Sequence, residues 1–102
     1  MSSFIKQPSE IYPIAMEFSG LLPEGASLAS GVVSALDTLT GLDATATVLH
    51  SSAAVIDGTQ VQAVVQAGTN GTPYKLTFRV SLTPGSPTSV LEEDLLMFVQ
   101  DL

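Results

Sequence analysis

Hydrophobic residues along this chain recur mostly at every second position, in short runs divided by Gly, Pro, Ser and Thr. The clearest run is PYKLTFRVSL (Pro73–Leu82), where Tyr74, Leu76, Phe78, Val80 and Leu82 alternate with Lys75, Thr77, Arg79 and Ser81. A period of two predicts a half-buried antiparallel strand with the apolar set facing a core. In QVQAVVQ, Val61, Ala63 and Val65 share one face while Gln60, Gln62 and Gln66 mostly take the other. The preceding IDGT (Ile56–Thr59) is a hairpin signal, and Asp-Gly suits a type I′ turn. Near the N-terminus Tyr12, Ile14, Met16 and Phe18 alternate as well. Pro13 has no N–H for a ladder, which predicts an edge strand.

Other stretches are less one-sided. In SLASGVVSALDTLTGLD, Leu28, Val32 and Leu36 have helical spacing, but Gly31, paired valines and Ser/Thr content favour a strand broken near Gly31 and closed by TGLD. Ala44, Ala46 and Val48 alternate with Thr45 and Thr47, again predicting a short strand. SVLEEDLLMFVQDL fits a helix through Leu91, Leu95, Phe98 and Leu102, or a strand through Leu91, Leu95, Met97 and Val99. Its place after the polar turn TPGSPTS favours the strand. LLPEGAS supplies another Pro/Gly turn. About seven short strands with regular turn signals predict an antiparallel β-sandwich over residues 11–102. Residues 1–10 are polar apart from Phe4 and Ile5 and are expected to form an N-terminal arm, either frayed or docked on a partner.

Composition narrows the function. The 102-residue chain is 45% hydrophobic and 13% charged, enough for one core and sparing with surface charge. Ten acidic residues against three basic ones give a net charge of −7. Lys6, Lys75 and Arg79 are too few and dispersed to grip a phosphate backbone, so no direct nucleic-acid partner is expected. There is no Cys, which removes disulfides and thiolate metal sites. No apolar run reaches membrane-span length, and the N-terminus does not read as a secretory signal. Synthesis in a cytoplasm, without a membrane partner, is the expectation.

The stretch AGTNGTPYKLTFRV (Ala67–Val80) contains a G-x-x-G spacing. A phosphate loop needs Gly-Lys-Ser/Thr opening a helix, whereas Gly71 is followed by Thr72, Pro73 and a strand. Gly68, Gly71 and Pro73 are therefore assigned to a structural turn. Tyr74 is a candidate for the corner tyrosine of immunoglobulin-like sandwiches, or else an ordinary core tyrosine. His50 is the single histidine and has no activating motif. Glu92, Glu93 and Asp94 lack a calcium-loop spacing and are expected in a solvated turn. Asn70-Gly71-Thr72 matches a glycosylation acceptor by chance. No catalytic residue, cofactor site or metal site is assigned, and an enzyme is not expected.

The order of segments resembles small phage virion proteins with an Ig-like β-sandwich. The resemblance is carried by KQPSEIYPIAMEFSGLLPEG (Lys6–Gly25), by GTNGTPYKLTFRV (Gly68–Val80) and by SPTSVLEEDLLMFVQDL. It departs from their pattern in lacking a Trp in the first strands. It implies a non-enzymatic structural protein of the virion. The leading expectation is a capsid decoration or cement protein bound to the major capsid protein. The alternatives are a neck or tail protein at the head–tail junction, or a carbohydrate- or receptor-binding module. Multiple copies or a homo-oligomer are expected, with Phe4, Ile5, Lys6 and Pro8 as the docking arm and the strand at Ile11–Phe18 open to a partner.

Overall fold

The structure, a computed structural model, describes residues 2–83 and 89–102. In chain order it comprises β1 (Ser2–Lys6), β2 (Tyr12–Glu17), a 3-10 turn (Ser19–Leu21), β3 (Ser27–Asp37), α1 (Thr45–Val48), β4 (Val55–Asp57), β5 (Gln60–Val65), β6 (Thr72–Thr83) and β7 (Val90–Val99). The strands form two sheets, a four-stranded one in the order β1-β7-β6-β3 and a three-stranded one in the order β2-β5-β4. All pairs are antiparallel except β1 with β7. The expected β-sandwich is therefore present.

The core lies between the sheets and follows the alternation. Tyr74, Leu76, Phe78, Val80 and Leu82 of β6, Val61, Ala63 and Val65 of β5, and Leu95, Met97 and Val99 of β7 are all buried. β7 is a strand along its whole length, and it contains Glu92, Glu93 and Asp94. Those carboxylates are thus on a strand rather than in a turn. Glu92 approaches Arg79 at 3.6 Å, and Asp94 accepts a hydrogen bond from the Thr77 hydroxyl at 2.8 Å. Glu92 stays exposed to solvent, and Asp94 is the carboxylate that cross-strand hydrogen bonding holds. The polar turn TPGSPTS falls largely on residues 84–88, outside the described residues.

Three local expectations are corrected. First, β3 is not broken at Gly31. Gly31 sits in the ladder opposite Val80, and the irregularity is a bulge between Leu28 and Ser30. A side chain at Gly31 would press on Val80, Ile56 and Val61 at 3.3–3.4 Å, so the glycine makes room for the core. Second, Thr45–Val48 is one helical turn. The buried residues Ala44 and Val48 are four apart, a spacing shared by a strand face and a helix face. Third, the β4–β5 hairpin closes on the pair Asp57 and Gln60. Its loop is Gly58-Thr59, with positive φ only at Gly58 (62°). That is the type II′ pattern with Gly first, not a type I′ turn centred on Asp-Gly.

β2 is an edge strand, with Pro13 beside Val64. The free side of β3 is covered by the following connection: the Val33 N–H donates to Ser52, the Ala54 N–H to Gly31, the Ala44 N–H to Ala35 and the Asp37 N–H to Leu42. Ser2–Lys6, the first part of the expected arm, pair with Leu95–Val99. The radius of gyration is 14.1 Å and the principal extents are 44 × 23 × 22 Å, longer than the ~13 Å radius of a compact chain of this size. The long axis separates two ends. One, called the near end, gathers residues 5–11, 37–50, 65–73 and 98–102. The far end gathers residues 17–27, 57–60, 81–83 and 89–90.

Candidate interaction surface

The near end is built around a buried lysine. Phe4 and Lys6 are two apart on β1 and so point to the same side, inward. Lys6 is 0% exposed. Its ammonium donates to the carbonyls of Gln7 (2.8 Å), Pro8 (3.3 Å) and Ala67 (2.6 Å). Burial pushes its pKa down, opposed in part by the charge of Glu10. The following residues bend to make this cage. The Gln7 N–H donates to the Glu10 carboxylate at 2.7 Å, and the Glu10 N–H donates to the Gln7 carbonyl at 3.1 Å. Lys-Gln-Pro-Ser-Glu is thus one closed local unit that ties β1 to the loop after β5. Sequence reasoning placed Lys6 on a docking surface; the side chain is spent inside the domain.

The loop receiving Lys6 is the G-x-x-G turn. Ala67 has φ 49°, Gly68 has φ 102° and Gly71 has φ 85°. A Cβ on Gly68 would lie 2.7 Å from Val99 Cγ2, whereas one on Gly71 would meet nothing within 4 Å. The Thr69 N–H donates to the Tyr74 hydroxyl at 2.9 Å, so this buried ring turns its polar tip back onto the loop backbone. The Gly71 N–H donates to the Val99 carbonyl at 2.7 Å. Asn70 accepts from the Asp101 N–H at 2.9 Å, and Pro73 accepts from the Thr38 hydroxyl at 2.7 Å. The turn is a structural knot, with the Thr69, Gly71 and Thr72 N–H groups all donating within the domain.

His50 is exposed. It lines an open groove with Asp43, Ser51 and Ser52. Among the described residues no hydrogen bond joins its ring to a hydroxyl or to Asp43, so the linked base and orienting carboxylate of an activated nucleophile are not assembled. The groove encloses about 470 Å³ but lies open to solvent, and a second depression beside it, on the outer face of the three-stranded sheet, holds about 160 Å³, below the 300–1,000 Å³ of small-molecule sites. Among the described residues, no group of three His, Asp or Glu is placed to hold a metal. No helix is long and apolar enough to cross a membrane.

What the surface offers instead is apolar side chains. Ile5, Ile11, Leu39, Leu42 and Leu102 are 54–84% exposed and belong to the near end, five of nine large hydrophobics exposed in the described structure. Phe4 is withheld from this set, because its ring packs edge-on against Tyr12 with centroids 6.3 Å apart. Leu39 and Leu42 were missed in the sequence, where TGLD read only as a closing turn and Leu39 as the end of the strand before it. The available signal was two leucines in a turn whose chemistry needs none.

The model of the family Gp77, described as "Podophage GP4 fiber-tail adaptor protein gp77", matches residues 6–94. The chain belongs to this family. The match begins at Lys6, the first residue of the caged unit, and runs into β7, so it spans both sheets. A Gp77 member is a phage virion structural protein, as the order of segments implied. Capsid decoration, the leading expectation, gains no support from the family, and the tail or neck alternative fits it better. Neither the curated proteins nor the solved structures give a match.

Proposed function

We propose that this Gp77 protein is a non-catalytic adaptor of a podophage tail, an Ig-like sandwich that joins a fibre protein to the tail body. The observation that carries the reading is the family match over residues 6–94. The elongated shape supports it, since an adaptor must offer two separated surfaces. The connectivity supports the Ig-like assignment. Lettered in chain order, β2-β5-β4 is B-E-D and β7-β6-β3 is G-F-C, and Tyr74 starts strand F with its hydroxyl on the E–F corner. The first strand has moved to the G edge, where it runs parallel.

In this role Ile5 is the arm residue left to a partner, while Phe4 and Lys6 secure the arm. A carbohydrate platform is disfavoured because none of the six aromatic rings is exposed. The test is quantitative mass spectrometry of purified particles and of detached tails. The protein is expected in both, at about a dozen copies or fewer, as a closed cyclic ring gives. Copy numbers on the order of hundreds would place it on the shell, and absence from particles would end the virion assignment.

A further inference from the structure

Leu39 and Leu42 are 68% and 67% exposed, yet the turn that carries them is one of the most tightly tied in the molecule. The Asp37 carboxylate accepts from the Leu39 and Thr40 N–H groups at 2.9 and 3.1 Å. The Asp37 N–H donates to the Leu42 carbonyl at 3.0 Å, and the Gly41 N–H to the Asp37 carbonyl at 2.8 Å. The Thr38 N–H and hydroxyl both hold the Pro73 carbonyl, at 3.1 and 2.7 Å. Gly41 supplies the positive φ of 75°. None of this requires leucine, and neither leucine joins the core. A rigid turn presenting two apolar side chains is pre-organised for docking, because little order is lost when it binds.

Charge selects the occupant. Glu10, Asp43 and Asp101 are exposed at the same end, with Asp37 half-buried. The nearest cations offset them only in part: the enclosed Lys6 feels the charge of Glu10, Lys75 lies half-buried on the outer sheet face, and among the described residues neither Asp43 nor Asp101 has an ion-pair partner. A second copy meeting this end face to face would oppose carboxylate with carboxylate. A partner with an apolar pocket rimmed by Lys or Arg would complement it.

We propose that the turn Asp37–Asp43 is a docking tip, with Leu39 and Leu42 as anchors, for an apolar pocket with a basic rim on another virion protein. This rests on the adaptor reading and assigns one of its two surfaces. The test is a photo-crosslinking residue at position 39 of the full chain, in assembled particles. Links from position 39 to a Lys- or Arg-bearing peptide of a different virion protein are expected. Links to a second copy of this chain, or none from particles that contain it, overturn the proposal. Absence of the chain from particles is the separate failure, that of the adaptor reading itself. The double variant Leu39→Ser/Leu42→Ser should melt within about 4 °C of the parent and enter particles at least tenfold less. Normal entry overturns the anchors. Asp101→Lys should lower entry severalfold, and unchanged entry overturns the basic rim.

Discussion

The two ends of the sandwich are closed by different means. At the far end the chain reverses through a two-residue hairpin at Gly58-Thr59, and among the described residues the principal side-chain tie is Glu17, which accepts from the Thr59 hydroxyl and the Ser19 N–H. At the near end separate segments are laced together. Lys6 holds the loop after β5, Tyr74 holds Thr69, Asn70 holds the C-terminal residues, and Thr38 holds Pro73. Hairpins are local and close themselves. The far end adds one long-range tie, Glu17 to Thr59, whereas the near end joins several stretches distant in sequence and needs several side chains as clamps. A clamped end can display apolar residues in fixed positions, as a docking surface requires.

The sharpest way to break this contrast is inside the near-end loop. Gly68→Val puts a branched side chain where a Cβ alone would reach 2.7 Å from Val99, at φ 102°. Backbone strain plus overpacking should cost roughly 3 kcal/mol in urea unfolding. Gly71→Ala meets nothing and carries only the strain, about 1 kcal/mol. The loop's sensitivity is thus centred on Gly68, although the sequence drew attention to Gly71. Equal effects of the two substitutions would show that the approach to Val99 is unimportant.

Removing the lysine clamp comes close behind. Lys6→Met leaves three carbonyls without their donor and should cost about 2–4 kcal/mol, read by thermal or chemical unfolding. Relief of the buried charge sets the lower part of that range. Tyr74→Phe keeps the ring and removes one hydrogen bond, so it should cost about 1 kcal/mol. A Tyr74→Phe loss as large as that of Lys6→Met would make the corner, not the lysine, the main clamp.

The far end should respond least. Hydrogen bonds from Thr59 and Ser19 hold the Glu17 pKa below its ordinary 4.5. The unfolded chain therefore binds this proton first. The stabilisation is complete above pH 4.5 and is lost as pH falls through the folded-state value. Glu17→Gln should be slightly less stable than the parent near neutrality and converge with it in acid. A difference that grows on acidification would reverse the assigned direction.

Much of the fold was legible because period two dominates β5 and β6, while β7, ambiguous by period, was read as a strand from its place after a polar turn. Pro13 marked an edge, since an absent N–H has one meaning in a ladder. The β3 bulge was not legible: Gly31 drew attention as a break, yet it is needed in the ladder to admit Val80, Ile56 and Val61. The Thr45–Val48 turn is too short for any period to separate helix from strand. Lys6 was hidden by its own chemistry, because lysine is almost always exposed. Only its parity with Phe4 hinted otherwise. The docking tip was equally hidden, since the exposure of Leu39 and Leu42 depends on the tie between Thr38 and a residue far along the chain, Pro73.

A density map of the assembled particle tests the central claim most directly, that a clamped near end serves a tail adaptor. This chain is expected between tail body and fibre, with Leu39 and Leu42 buried against another protein. A chain lying on the capsid shell, or one in the tail with its near end open to solvent, would contradict it.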